Sequence, residues 1–118
     1  MGHRKRFDHL ALGRHGEDLV ECWYADQGHQ VLARNWRCRS GELDLVVRCG
    51  ATLVFCEVKT RSSTRYGSPF EAVDRRRQAR MRAAAAEFLR AEGPGGTRVR
   101  FDVAAVIGES VEVIRGAF

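Results

Sequence analysis

Apolar residues recur at helical spacing near the start of the chain and switch to a two-residue period in its middle. Leu12, Leu19, Val20, Trp23 and Tyr24 form one stripe, which predicts a helix from about Asp8 to Gln27, with Gly28 as its stop. His29 to Trp36 reads as a first strand. Leu43-Asp44-Leu45-Val46-Val47 and Leu53-Val54-Phe55-Cys56 flank a turn at Cys49-Gly50-Ala51-Thr52, the pattern of a hairpin. Arg61 to Gly67 is polar and predicts a loop. Ser68-Pro69-Phe70-Glu71 has the capping-box pattern, with proline at the first helical position. It predicts a second helix from there to about Ala91, with Met81, Ala84, Ala85, Phe88 and Leu89 on its core face. Gly93-Pro94-Gly95-Gly96 ends that helix. Val99 to Ile107 and Val111 to Ile114 read as late strands around Gly108-Glu109-Ser110. The order is α-β-β-β-α-β-β, an α/β chain with a mixed sheet flanked by helices.

The hairpin carries the candidate chemistry. A two-residue loop with Gly50 first is the type II′ arrangement. Opposed positions then sum to about 101 by that register, so Asp44 faces Glu57 and Glu42 faces Lys59. Leu43, Leu45, Val47, Val54, Cys56 and Val58 would share one apolar face, and Glu42, Asp44, Glu57 and Lys59 the other. Two carboxylates directly opposite repel, unless one is protonated or a cation lies between them. Oxygen ligands of this kind suit Mg²⁺ or Mn²⁺. The plainer reading of the same residues is a solvated charged face.

Charge changes that balance. The chain has 118 residues, enough for one domain, and a formal charge of +5. Residues 1–7 read as a basic, disordered tail on it. Such a surface favours polyanions, nucleic acid above all. Eighteen arginines stand against two lysines, Lys5 and Lys59. A chain this biased toward arginine keeps Lys59 where a compact ammonium is wanted. Arginines gather at Arg34/Arg37/Arg39, Arg61/Arg65, Arg75/Arg76/Arg77/Arg80/Arg82 and Arg90/Arg98/Arg100. No apolar run approaches the roughly 20 residues of a membrane span, and no signal-peptide core follows the basic start, so no membrane partner and a cytoplasmic protein are expected. Cys22, Cys38, Cys49 and Cys56 lack CxxC spacing and read as incidental thiols.

A helix glutamate, then Gly41-Glu42-Leu43-Asp44, then Glu57-Val58-Lys59 resembles the PD-(D/E)xK nuclease superfamily. More closely, the chain is similar to the YraN family of predicted bacterial nucleases, often compared with Holliday junction resolvases. That likeness rests on Gly13, Gly16-Glu17, Arg34-Asn35-Trp36-Arg37, Gly41-Glu42-Leu43-Asp44, Phe55 to Arg61, Gln78 and Arg100-Phe101-Asp102-Val103. It implies a restriction-endonuclease-like αβββαβ core and a metal-dependent endonuclease acting on branched or structured DNA. It further implies that Asp44, Glu57 and Glu17 bind metal with the Val58 carbonyl, and that Lys59 is catalytic. Arg37, Arg61, Arg65, Arg75, Arg76, Arg77, Gln78 and Arg80 are expected to contact nucleic acid. The position before Gln78, typically lysine in the family, is Arg77 here. By analogy with resolvases a homodimer is implied. The competing expectations are a nucleic-acid-binding module without turnover and a protein-interaction scaffold anchored by Trp23 and Trp36.

Overall fold

A computed structural model describes residues 2–61, 73–93 and 98–118, with side chains from Arg14 onward. Two helices and five strands follow in the order α1 (Gly2–Asp26), β1 (Gln30–Cys38), β2 (Gly41–Cys49), β3 (Thr52–Arg61), α2 (Arg75–Glu92), β4 (Arg98–Ile107) and β5 (Ser110–Ile114). The strands form one sheet in the order β1-β2-β3-β4-β5. β3 and β4 are parallel, and the other neighbours are antiparallel. The expected mixed sheet with flanking helices is thus present.

Two expected boundaries differ. α1 begins at Gly2 and takes in the stretch read as a basic tail. His3 to Asp8 contains neither proline nor glycine, so nothing local stops the helix there. α2 begins at Arg75, not at Pro69. Asp74 caps it from an extended conformation, accepting a hydrogen bond from the Arg77 N–H. Ser68 to Glu71, which carry the capping-box pattern, lie outside the described residues.

The sheet is buried on both faces. α1 covers one with Val20 and Tyr24, which pack on Leu45, Val47, Val54, Cys56, Ala104 and Val106. α2 covers the other with Met81, Ala84, Ala85 and Phe88, which pack on Leu43, Val46, Leu53, Phe55 and Phe101. Strand alternation explains why neighbours in sequence serve opposite helices. β2 breaks the rule once. Leu43 and Val46 lie three apart yet share the α2 face, so Leu43 does not join Leu45 as expected. The reason lies across the strand. Trp36 pairs with Leu43 and Arg34 with Leu45, which leaves Asn35 facing Asp44. Asn35 has φ 54, the left-handed conformation that asparagine tolerates better than most residues. The pleat is interrupted at Asp44.

One close approach fixes α1 on β3. Gly16 is packed so tightly that an added Cβ would overlap the Thr60 hydroxyl and lie 3.1 and 3.2 Å from Thr60 Cβ and Cγ2. Rotating Thr60 cannot clear all three atoms. Gly16→Ala would gain about 1 kcal/mol of helix propensity. The overpacking costs roughly 1–3 kcal/mol. We expect a lower melting temperature for Gly16→Ala and its recovery in Gly16→Ala/Thr60→Ala; unchanged melting of the single variant would show that α1 can move off β3 freely.

A second anchor is polar. Asp102 is fully buried on β4, where it faces α1. Its carboxylate accepts from Tyr24 Oη at 2.6 Å, from Arg100 Nε and Nη2 at 2.8 and 3.0 Å, and from the Gly116 N–H at 3.0 Å. A buried charge is tolerable only when paired and hydrogen-bonded this fully. Helix α1, strand β4 and the C-terminal turn are thereby joined at one point.

Candidate active site

The paired register of β2 and β3 runs from Cys49–Thr52 to Leu45–Cys56, with positions in the expected opposition. Gly50 has φ 59, and Ala51 is not left-handed, as the II′ loop asks. Beyond Leu45 the Asp44 side chain takes over the contact between the strands. Its Oδ2 accepts from the Val58 N–H at 2.9 Å. The same carboxyl lies beside the Glu57 side chain. The two acids predicted to oppose each other do meet, at the place where the pleat of β2 is interrupted.

Their surroundings set their charge. Burial, followed by the negative charge of Glu57, pushes the Asp44 carboxyl up to about 8. Asp44 is thereby held toward its neutral form beside Glu57. Glu57 is buried, with 4% of its surface exposed. Arg77 reaches it from α2, placing Nη2 at 2.6 Å and Nε at 2.8 Å from Oε2. Lys59 lies on the other oxygen, with Nζ 3.9 Å from Oε1. One carboxylate is thus shared by an ammonium and a guanidinium.

The expected Glu42–Lys59 pair is not formed. Glu42 turns to Arg37, at 3.5 Å from its Nε, because the β2–β3 pairing ends before Glu42 is brought opposite Lys59. Glu17 stands in a second group on α1. Arg34 Nε lies 3.7 Å from its Oε2, and the same guanidinium binds Asp18 at 2.5 Å and Glu21 at 3.1 Å. Burial raises the Glu17 pKa, while Arg34 and a hydrogen bond from the Asn35 side chain oppose the rise. Glu17 Oε2 is buried without a hydrogen-bond partner. Sequence reasoning assigned no individual role to Arg34, Asn35 or Asp102. An asparagine inside a strand was the available signal for Asn35, since that residue is depleted in strands and tolerates the left-handed region.

Among the residues expected to meet nucleic acid, Arg37, Arg61, Arg75, Arg76 and Arg80 are exposed. Arg77 is engaged with Glu57, and the Gln78 side chain donates to the Val73 carbonyl at 3.2 Å. Arg65 lies outside the described residues. Trp23 and Trp36, the anchors of the scaffold reading, both pack against the cores. The four cysteines are free thiols, Cys56 buried and Cys49 exposed. Among the described residues no helix is long and apolar enough to cross a membrane.

The donor set can be tested against a divalent ion. No three Asp, Glu, His or Cys side chains gather tightly enough to form a complete protein cage among the described residues. Mg²⁺ does not need one. It usually keeps several waters and binds through one or two carboxylates and substrate phosphates. Asp44 and Glu57 fit that requirement: they are neighbouring hard oxygen donors, and the negative charge of Glu57 makes ionisation of Asp44 harder. A cation would remove that repulsion.

Comparison with known proteins agrees on one family. The family model described as Uncharacterised protein family UPF0102 matches residues 16–106. A UPF0102 protein of Frankia casuarinae is 56% identical over 113 residues, covering 92% of this chain and 96% of its own length. One of Acidothermus cellulolyticus is 48% identical over 123 residues, covering 92% and 93%. One of Moorella thermoacetica is 45% identical over 112 residues, covering 90% and 93%. The chain belongs to the UPF0102 family, which is the YraN family.

Proposed function

We propose that this member of the UPF0102 family is a metal-dependent endonuclease that hydrolyses phosphodiester bonds in branched or structured DNA. The observation that carries the reading is the contact of Asp44 with Glu57 at the interrupted end of the hairpin, with Lys59 Nζ 3.9 Å from Glu57. Asp44, Glu57 and the Val58 carbonyl would hold Mg²⁺ or Mn²⁺, and Glu17 on α1 would be a further acid toward the metal. When bound, the ion would supply positive charge toward the scissile phosphate and make a water more acidic. Lys59 places its ammonium where charge grows on the phosphoryl group and where a water can be oriented. Val58 fixes the Asp44 carboxyl through its N–H, so the acid is aimed before substrate arrives. The exposed arginines Arg37, Arg61, Arg75, Arg76 and Arg80 would hold the phosphate backbone on either side, and a homodimer would extend that surface.

A second reading has its own support. Arg77 already neutralises Glu57, and a nucleic-acid-binding module without turnover needs nothing more. The two readings separate in one experiment. Junction, flap, single-stranded and duplex DNA are incubated with the protein in Mg²⁺, in Mn²⁺ and in EDTA. The nuclease reading expects metal-dependent cleavage, strongest on a branched substrate, together with binding that weakens steeply with salt. Salt-sensitive binding without cleavage in either metal would establish the second reading. Replacing Arg75, Arg76 and Arg80 together should flatten the salt dependence. A wild-type slope would move the interface elsewhere.

A further inference from the structure

We infer that Arg77 is an exchangeable counter-ion. It holds Glu57 in the metal-free protein and gives that carboxylate up when a divalent cation binds, becoming free to contact a substrate phosphate. The inference rests on the metal-site reading above and adds a residue-specific switch to it.

The geometry is asymmetric in a telling way. Both Nε and Nη2 of Arg77 point at one oxygen of Glu57, Oε2, at 2.8 and 2.6 Å. Lys59 stays farther off, at 3.9 Å from Oε1. The guanidinium is therefore the main countercharge of a buried carboxylate. Removing one partner of such a pair leaves the other charge uncompensated. A divalent cation seated between Asp44 and Glu57 would bring two further positive charges within a few ångströms of that guanidinium. Repulsion at such range is strong wherever water is partly excluded. Arg77 and the cation therefore compete for Glu57.

The surroundings give the side chain somewhere to go. The Arg77 backbone is pinned in the first turn of α2 by the Asp74 cap. Its side chain is 25% exposed and so reaches the surface. Arg75, Arg76 and Arg80 are exposed on the same helix end. A released guanidinium would meet the same phosphates as these neighbours. Its planar fork suits a phosphate better than a point charge does. Cation and polyanion would each make binding of the other easier, since coupling between two sites is reciprocal.

The test measures Mn²⁺ binding alone by calorimetry, without DNA or turnover. Wild type, Arg77→Gln, Arg77→Lys and Asp44→Asn are compared at one pH. Arg77→Gln should bind Mn²⁺ at least about tenfold more tightly than wild type, because the ion no longer competes with a buried pair. In EDTA the same variant should melt below wild type, and Mn²⁺ should close that gap. If Arg77→Gln does not fold in EDTA, Arg77→Lys is read in its place, with a gain of about threefold expected from losing the two-donor grip. Equal or weaker Mn²⁺ binding by the variant that is read overturns the exchange. If Asp44→Asn still abolishes binding in that case, the metal site stands without it. If neither wild type nor any Arg77 variant binds Mn²⁺, both ideas fall together.

Discussion

Lys59→Arg is expected to reduce single-turnover DNA cleavage by about 100-fold or more while leaving DNA binding in place. The substitution keeps one positive charge and changes its shape. Lys59 is only about one-fifth exposed, with Nζ beside Glu57 Oε1, and Arg77 fills the space at Oε2. A planar guanidinium at position 59 would be the second one on a single carboxylate. It would spread its charge over a wider fork and could neither deprotonate nor present a compact ammonium to a water. If Lys59 only balanced Glu57, arginine would balance it at least as well. The comparison is made at saturating enzyme, in Mg²⁺, with binding measured separately. Equal rates would take Lys59 out of the chemistry and leave the hairpin as a charged structural feature.

That expectation could be written from the sequence because the hairpin is a local object. Gly50 fixes the turn, the turn fixes the register as far as Leu45–Cys56, and Asp44 and Glu57 are the next residues beyond it. The core stripes were legible for the same reason: Val20 and Tyr24, and Met81, Ala84, Ala85 and Phe88, repeat at helical spacing and are buried. What escaped depended on distant partners. The side change of Leu43 follows from the left-handed Asn35 on the neighbouring strand, which no alternation pattern on β2 could reveal. Glu42 looked like the partner of Lys59 because the regular register was extended past the point where pairing stops. The start of α2 was placed too early because its cap is Asp74, a lone aspartate beside a run of arginines, whose side chain bonds the first turn. The grip of Arg77 on Glu57 requires α2 to dock at one particular rotation over β3, and twenty residues separate the two. The role of Asp102 depends likewise on distant partners, Tyr24, Arg100 and Gly116, which the strand pattern alone does not name.

The second large effect concerns Asp44. Its carboxyl is pushed up to about 8 in the folded chain, chiefly by burial and then by the negative charge of Glu57. An unfolded aspartate titrates near 3.9. Between those values the folded state holds a proton that the unfolded state has released. Stability of the metal-free protein therefore falls as pH rises from about 4 to about 8 through this group, and the loss levels off above that. Asparagine mimics the protonated acid. It can still accept from the Val58 N–H and donate toward Glu57, and it never ionises. Asp44→Asn in EDTA should match wild type near pH 4 and exceed it at pH 8 by roughly 5 kcal/mol at most, an order-of-magnitude figure from the same linkage. Urea unfolding of both proteins across that range checks it, and parallel pH profiles would show that Asp44 is not held in its neutral form. Adding Mn²⁺ at pH 8 should narrow that gap, because an ion that binds only the folded wild type stabilises it by mass action.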